Sequence, residues 1–295
     1  IKGWKMSKGE GTVTKVVTTK EYYKDTGEIT SVTFIDNKDG ESLPKYTEYR
    51  DRFDISLELS DDKLFSIRVK LDTNTIILPV ASLEYLWAFT LYCWILYQEY
   101  RQAQLNGAKE FNCVGNPRLQ DAYSVLQWAK KNMLTSGNEQ WPEGLPAPQK
   151  NPENESDIHV ANELFLCALG WMLYHEIGHI VLQHPPITTG YSEQEEKEAD
   201  QFSTDWILSK LETNCPMLRK RALGIAVGVL CLQSLEVSGK SCLKNTHPNA
   251  HDRIFFCLSK YQVGTEQLIE AFSITVLQYL FHDDGNITID VDENS

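Results

Sequence analysis

The chain has 295 residues, of which 42% are hydrophobic and 11% aromatic, and its formal net charge is −13. This composition excludes a largely disordered protein and leaves room for one large domain or two modest ones. Most of the acidic excess lies in residues 81–295. We therefore expect no nucleic-acid partner, because phosphate binding needs clustered lysine and arginine.

Residues 12–80 have the composition of β-structure. Thr, Val, Ile, Tyr and Phe dominate, and turn signals such as Asp25-Thr26-Gly27 separate the apolar stretches. This pattern predicts a small antiparallel sheet of about five strands. The expected strands lie near 12–23, 28–35, 53–59, 64–71 and 75–80.

The pattern becomes helical at Ser82 and remains so. We therefore predict an α+β fold, with a small N-terminal antiparallel β-sheet in residues 1–80 and a mainly helical domain in residues 81–295. The segment 137–156 is rich in proline and glycine, so it is either a lid over a site or an ordered surface connection. The expected helices are 82–105, 118–134, 157–184, 193–213, 217–237 and 265–281.

The apolar runs at 85–97, 164–174 and 222–232 are shorter than the ~20 residues of a membrane-spanning helix. They are typical of core helices, so we expect no membrane partner. The seven cysteines are scattered and form no CxxC pair. Such a pattern is typical of free thiols in a reducing compartment, which predicts a cytoplasmic protein.

The segment His175–His179 reads HEIGH, which is the HExxH pattern of zinc peptidases. On a helix, His175 and His179 lie one turn apart on the same face, so both imidazoles can reach one metal ion. Glu176 lies between them and is the candidate general base for a water on that ion. The alternative is a helix whose histidines only form hydrogen bonds in a core.

A second helix, which we expect to begin at Ser192, provides a third ligand. Glu196 and Asp200 are four residues apart, so Glu196 can bind the metal while Asp200 accepts the outer N–H of a ligand histidine. Glu195 and Glu198 are rival ligands, about 100° and 200° further around the helix. Two histidines and a glutamate predict one catalytic Zn²⁺ per chain, with an open coordination position.

Hydrolysis of an amide also needs a group that stabilises the developing oxyanion. His184 lies off the helical face of His179, and we predict that it packs or caps rather than binds the metal. Residues 246–253 have two equally good explanations, namely the start of a helix with a purely structural role and a catalytic segment. The candidates for transition-state stabilisation are His247, which we assign to catalysis, and His251, Arg253 and Tyr191.

The order of HExxH and a later Glu-x-x-Ala-Asp resembles the gluzincin metallopeptidases. Residues 79–282 are similar to the Lit family of bacterial phage-exclusion peptidases. The resemblance aligns HEIGH with the catalytic motif of that family and Glu196 and Asp200 with its acidic segment. The strings that carry it are VASLEY (80–85), HEIGHIVLQHP (175–185), RALGIA (221–226), QSLEV (233–237) and NTHP (245–248).

The resemblance implies a cytoplasmic zinc endopeptidase of abortive infection. Such an enzyme cleaves the host elongation factor Tu after a phage product triggers it. Residues 1–78 match the family less clearly, so a sensing or docking role for them is a hypothesis. The alternatives are a catalytically silent peptidase-like sensor and a zinc hydrolase of a small amide.

Overall fold

The computed structural model describes residues 15–19, 31–35, 52–108, 110–135, 140–149, 151–185, 192–213, 215–237, 250–261, 263, 266–281 and 286–288. Within these ranges the chain is mainly helical and carries small sheets, so the predicted α+β class is confirmed. The first two strands, β1 (Lys15–Thr19) and β2 (Ser31–Ile35), pair antiparallel. The next three are β3 (Ser56–Ser60), β4 (Arg68–Lys70) and β5 (Thr75–Pro79).

The sheet formed by β3, β4 and β5 is mixed, so the predicted antiparallel arrangement of about five strands is wrong in its pairing. The strand order is β3-β5-β4, in which β3 runs parallel and β4 antiparallel to β5. β5 lies in the centre of this sheet, and its Ile76, Ile77 and Leu78 are all buried. A strand covered on both faces is a continuous apolar run, and such a run specifies burial without specifying a partner.

The helices follow the sheet and provide most of the fold. The first helix begins directly after β5, and two short strands later in the chain pair antiparallel with each other. In chain order these elements are α1 (Val80–Leu105), β6 (Glu110–Asn112), α2 (Pro117–Leu134), α3 (Asp157–Val181), α4 (Glu193–Leu208), α5 (Pro216–Val237), α6 (Ala250–Leu258), α7 (Glu266–Phe281) and β7 (Asn286–Thr288).

One hydrophobic cluster contains residues of the three-stranded sheet and of the helices. α5 lies very close to α3, because a Cβ at Gly224 would be only 2.2 Å from the Cβ of Cys167. Any side chain at Gly224 would therefore push the two helices apart. The division of the chain into two domains at residue 80 stays a prediction.

Two helices, α1 and α3, are long and apolar enough to cross a membrane by length and composition alone. Both are mostly buried inside the protein. Their apolar surface is thus covered by other parts of the chain, as in core helices. The cysteines of the described ranges are free thiols, and all but Cys215 are buried.

Residues 140–149 form an ordered connection, which was one of the two alternatives for the proline-rich segment. Trp141 packs against Trp87 with ring centroids 5.5 Å apart, and Asn162 donates a hydrogen bond to the carbonyl of Gln149. These contacts lie near the start of α3. The HEIGH segment lies more than three turns further along, or about 20 Å at 1.5 Å per residue.

Candidate metal centre

The HEIGH segment occupies the last two turns of α3. This helix begins where the Ser156 hydroxyl accepts a hydrogen bond from the amide of His159, at 3.2 Å. Near its other end, the side chains of His175 and His179 lie on one face, with their Nε2 atoms 3.1 Å apart. The helical spacing therefore brings both imidazoles to one point, and both are buried.

α4 begins with a capping box that positions the third group. The Ser192 hydroxyl accepts from the amide of Glu195 at 3.2 Å, and the Glu195 carboxylate accepts from the amide of Ser192 at 2.6 Å. This reciprocal pair holds the Glu195 carboxylate at the helix end. Glu196 Oε2 lies 3.1 Å from Nε2 of His175. The structure thus brings Glu196, and not its rival Glu195, to the two histidines.

The two helices can meet here because residue 178 is a glycine. A Cβ at Gly178 would lie 3.2 Å from the Cα of Ala199 and 3.2 Å from a ring carbon of Phe202. Both distances are tighter than ordinary van der Waals contact. The missing side chain therefore lets α4 approach α3 closely enough for Glu196 to reach the histidines.

His175, His179 and Glu196 form a metal group, that is, a set of side chains that can together hold one metal ion. Their ligand atoms lie within 4.8 Å of one another, and no other such group occurs within the described ranges. Around a tetrahedral zinc the ligand atoms are about 3.3 Å apart, close to the two distances of 3.1 Å seen here. Burial alone would lower the pKa of His175, but hydrogen bonds to Asp200 and Glu196 raise it to about 10. The surroundings thus favour a positive charge at this point.

The outer nitrogen of His175 is held by a buried ion pair. Nδ1 of His175 lies 2.8 Å from the Asp200 carboxylate, which also accepts two hydrogen bonds from Arg253, at 2.6 and 2.8 Å. Burial alone would raise the pKa of Asp200, but Arg253 holds it well below its usual range. The Arg253 guanidinium thus lies on the outer side of His175, away from Nε2, and there it supports Asp200.

The outer nitrogen of His179 has a different partner, His184. The two Nδ1 atoms are 2.7 Å apart, and Nε2 of His184 lies 3.2 Å from the Glu198 carboxylate. Glu198 also accepts a hydrogen bond from Gln194 at 2.8 Å. Glu198 therefore contacts His184, so it is not placed as a rival metal ligand. The contact between the two histidines was not predicted from the sequence.

The end of α3 explains this contact. Gln183 has a positive φ of 59°, its amide bonds to the carbonyl of Ile180, and the amide of His184 bonds to the carbonyl of His179. This pair of bonds is the Schellman motif, in which the residue after the left-handed position folds back onto the last turn. The left-handed position is usually a glycine, so the motif cannot be recognised in a sequence that has Gln183 there. The following Pro185 was the one visible signal.

Glu176 lies beside the metal group and is held by the sheet. Its Oε2 accepts a hydrogen bond from the backbone amide of Val69 in β4, at 2.8 Å. Burial raises the pKa of Glu176 to about 7, although the nearby His175 lowers it. The carboxylate can thus exchange a proton near neutral pH. This contact could not be predicted from the sequence, since β4 and α3 are far apart in the chain.

Three further residues were expected at the site, and the described ranges contain one of them, His251. Tyr191 and His247 lie outside the described ranges. His251 lies on α6 with an exposed side chain, and its ring contacts the neighbouring Asp252. His159 belongs to the start of α3, where its Nδ1 accepts a hydrogen bond from the amide of Glu155.

Two histidines and a glutamate on neighbouring helices, with a carboxylate between the histidines in sequence, define a peptidase site of the HExxH type. A sequence model of the family described as Peptidase U49 matches residues 76–273, which is more than half of the chain. The protein therefore belongs to the peptidase U49 family and is a peptidase.

One relative is the "Cell death peptidase" of Escherichia coli (strain K12). It is 49% identical over 235 residues, which cover 78% of this chain and 79% of the relative. The resemblance to Lit-type peptidases is thereby confirmed. No solved structure matches the chain.

Proposed function

We propose that the protein is a zinc-dependent endopeptidase of the gluzincin type. The observation that carries the proposal is the buried group of His175, His179 and Glu196, whose ligand atoms lie within 4.8 Å of one another, with two of the distances at 3.1 Å. The Glu176 carboxylate beside it supports a hydrolytic role, because a site that only binds a metal has no need of a base. Two histidines of an HExxH helix together with a glutamate are a ligand set of catalytic zinc sites, and this supports the choice of zinc.

Zinc, when bound, lowers the pKa of a coordinated water toward about 7 and polarises the scissile carbonyl. Glu176 accepts the proton of the attacking water and then passes it to the nitrogen of the leaving amine. The raised pKa of Glu176 suits both steps, because the same carboxylate must take up and release a proton near neutral pH. Asp200 keeps the proton of His175 on Nδ1, so that Nε2 is free to bind the metal.

We further propose that the enzyme acts in the cytoplasm in bacterial anti-phage defence. Its substrate is a host translation factor such as elongation factor Tu, and a phage-derived product triggers the cleavage. The identity of 49% to a protein named for cell death supports a role in abortive infection. The acidic balance of the chain supports a protein substrate rather than a nucleic acid.

The test compares the natural protein with Glu176→Gln. Bound zinc is measured on the purified proteins, and cleavage of elongation factor Tu is followed with and without a lysate of phage-infected cells. We expect the variant to retain zinc and to lose cleavage by about 10²- to 10⁴-fold. Cleavage of short amides in place of elongation factor Tu would favour the small-amide hydrolase.

Glu195→Gln is the matched control, because it is the same substitution one residue from Glu196 and glutamine can also complete the capping box. This control should keep both zinc and cleavage. Equal cleavage by the natural protein and Glu176→Gln would remove Glu176 as the base. A natural protein without bound zinc would remove the metal centre, and one with zinc but no cleavage of any protein would favour the silent sensor.

A further inference from the structure

We propose that His184 is a positioning residue that fixes the tautomer and the ring orientation of His179 for metal binding. Glu198 completes the contact at the protein surface. The inference rests on the metal centre proposed above. Its basis is the hydrogen-bonded series from Nδ1 of His179 through both nitrogens of His184 to the Glu198 carboxylate, at 2.7 and 3.2 Å.

Metal binding determines the position of each proton in this series. When Nε2 of His179 binds a metal, its Nδ1 carries the proton and donates the hydrogen bond. Nδ1 of His184 must then be the acceptor, so the proton of a neutral His184 lies on Nε2. That Nε2–H points at the Glu198 carboxylate, which can only accept. Every donor in the series thus meets an acceptor.

The end of α3 holds His184 in this place. The backbone bond from the amide of His184 to the carbonyl of His179 and the left-handed conformation of Gln183 bring the His184 ring back against the last turn. A Schellman motif commonly forms an apolar contact between these two positions. Here the same geometry produces a hydrogen bond between two buried imidazoles. The backbone therefore places His184 beside the last turn of α3, where its ring can reach His179.

The first experiment measures zinc affinity by competition with a chelator. His184→Leu removes the acceptor, and we expect a loss of affinity of about 10- to 100-fold, as for other groups that orient a ligand histidine. His184→Gln retains a carbonyl that can accept from His179 and an amide that can donate to Glu198, so it should recover most of the affinity. His159→Leu, at the opposite end of α3, is the matched control and should bind zinc as the natural protein does.

The second experiment needs no variant. Two-bond ¹H–¹⁵N correlation spectra of the zinc-loaded natural protein, labelled with ¹⁵N-histidine, report which nitrogen of each ring carries the proton. We expect the proton of His179 on Nδ1 and that of His184 on Nε2. A proton on Nδ1 of a neutral His184 would overturn the proposal, because that nitrogen could not then accept from His179. This measurement decides the matter if His184→Leu does not fold.

The two proposals fail in different ways. If the natural protein binds no zinc, the metal centre is wrong and the role of His184 is wrong with it. If the natural protein and a folded His184→Leu bind zinc equally well, only the positioning role is overturned. Circular dichroism and the melting temperature of the metal-free proteins show whether each variant is folded.

Discussion

The two histidines of the metal group are supported in different ways. On one side, His175 meets Asp200, and Arg253 neutralises this carboxylate; Asp200 and Arg253 are only 2% and 4% exposed. On the other side, His179 meets a second imidazole, whose partner Glu198 has a side chain that is 46% exposed. One support is a buried ion pair, and the other is an imidazole ring whose own partner, Glu198, lies at the solvent.

The partners of the two histidines therefore differ in how firmly they are held and in how easily another group can replace them. A buried carboxylate and guanidinium hold each other firmly, because either one alone would be a desolvated charge. An exposed carboxylate is replaced by water at little cost. We therefore expect any change of charge in the ion pair beside His175 to weaken the protein or its metal binding. Beside His179, metal binding should depend on the His184 ring far more than on Glu198.

Arg253→Leu should have the largest effect on stability. The substitution removes the guanidinium that neutralises the buried Asp200 carboxylate, which costs about 3–5 kcal/mol of unfolding free energy. Chemical denaturation of the metal-free protein measures this loss. The control is Lys260→Leu, whose ion pair with Asp205 is exposed and contributes less than about 1 kcal/mol. Equal losses in the two variants would show that the buried pair has no special role.

Asp200→Asn should weaken zinc binding about 10- to 100-fold. Asparagine can still accept a hydrogen bond from His175, but its neutral oxygen no longer favours the ligand form of the ring. The variant also leaves Arg253 without its anion. Chelator competition at neutral pH measures the affinity. An unchanged affinity would contradict the comparison, because the two supports would then matter only for folding.

Gln183→Gly should raise the unfolding free energy by about 1 kcal/mol or less. A left-handed conformation costs a non-glycine residue roughly 1–2 kcal/mol, and the greater freedom of glycine in the unfolded chain offsets part of that gain. Thermal unfolding measures the change, and zinc affinity should remain that of the natural protein. A clear loss of stability would show that the Gln183 side chain makes a contact that outweighs its backbone strain.

Glu198→Gln should have the smallest effect, a change in zinc affinity of no more than about twofold. The side chain is largely exposed, and glutamine keeps an oxygen that can accept from Nε2 of His184. The measurement is the chelator competition used for the other variants. A loss as large as that of Asp200→Asn would mean that both supports depend on a negative charge.

The helical part of the site could be predicted from the sequence because its rules are local. The spacing of His175 and His179 follows from the helical repeat, and Ser192 shows where α4 begins, which in turn places Glu196. The small Gly178 permits the close approach of the two helices. These features need no knowledge of distant parts of the chain, and the structure brings the three residues together.

The parts that could not be predicted depend on contacts between distant segments or on backbone conformations that the residue types do not indicate. The order of strands β3, β5 and β4 depends on pairing between separate segments. β5 is a continuous apolar run, and such a composition does not show which strands lie beside it. The position of His184 depends on a left-handed glutamine where a glycine would have been the visible signal. The sequence made Arg253 a candidate for transition-state stabilisation, which stays a prediction, but its ion pair with Asp200 could not be foreseen.

The hydrogen bond between Val69 and Glu176 has a consequence for mutational scanning. Its donor is the main chain of β4, so replacing the Val69 side chain with alanine leaves the bond in place. A scan of side chains would therefore report this position as unimportant to the chemistry. A proline at residue 69, or an ester in place of that amide, is the change that removes the donor and frees the carboxylate to turn.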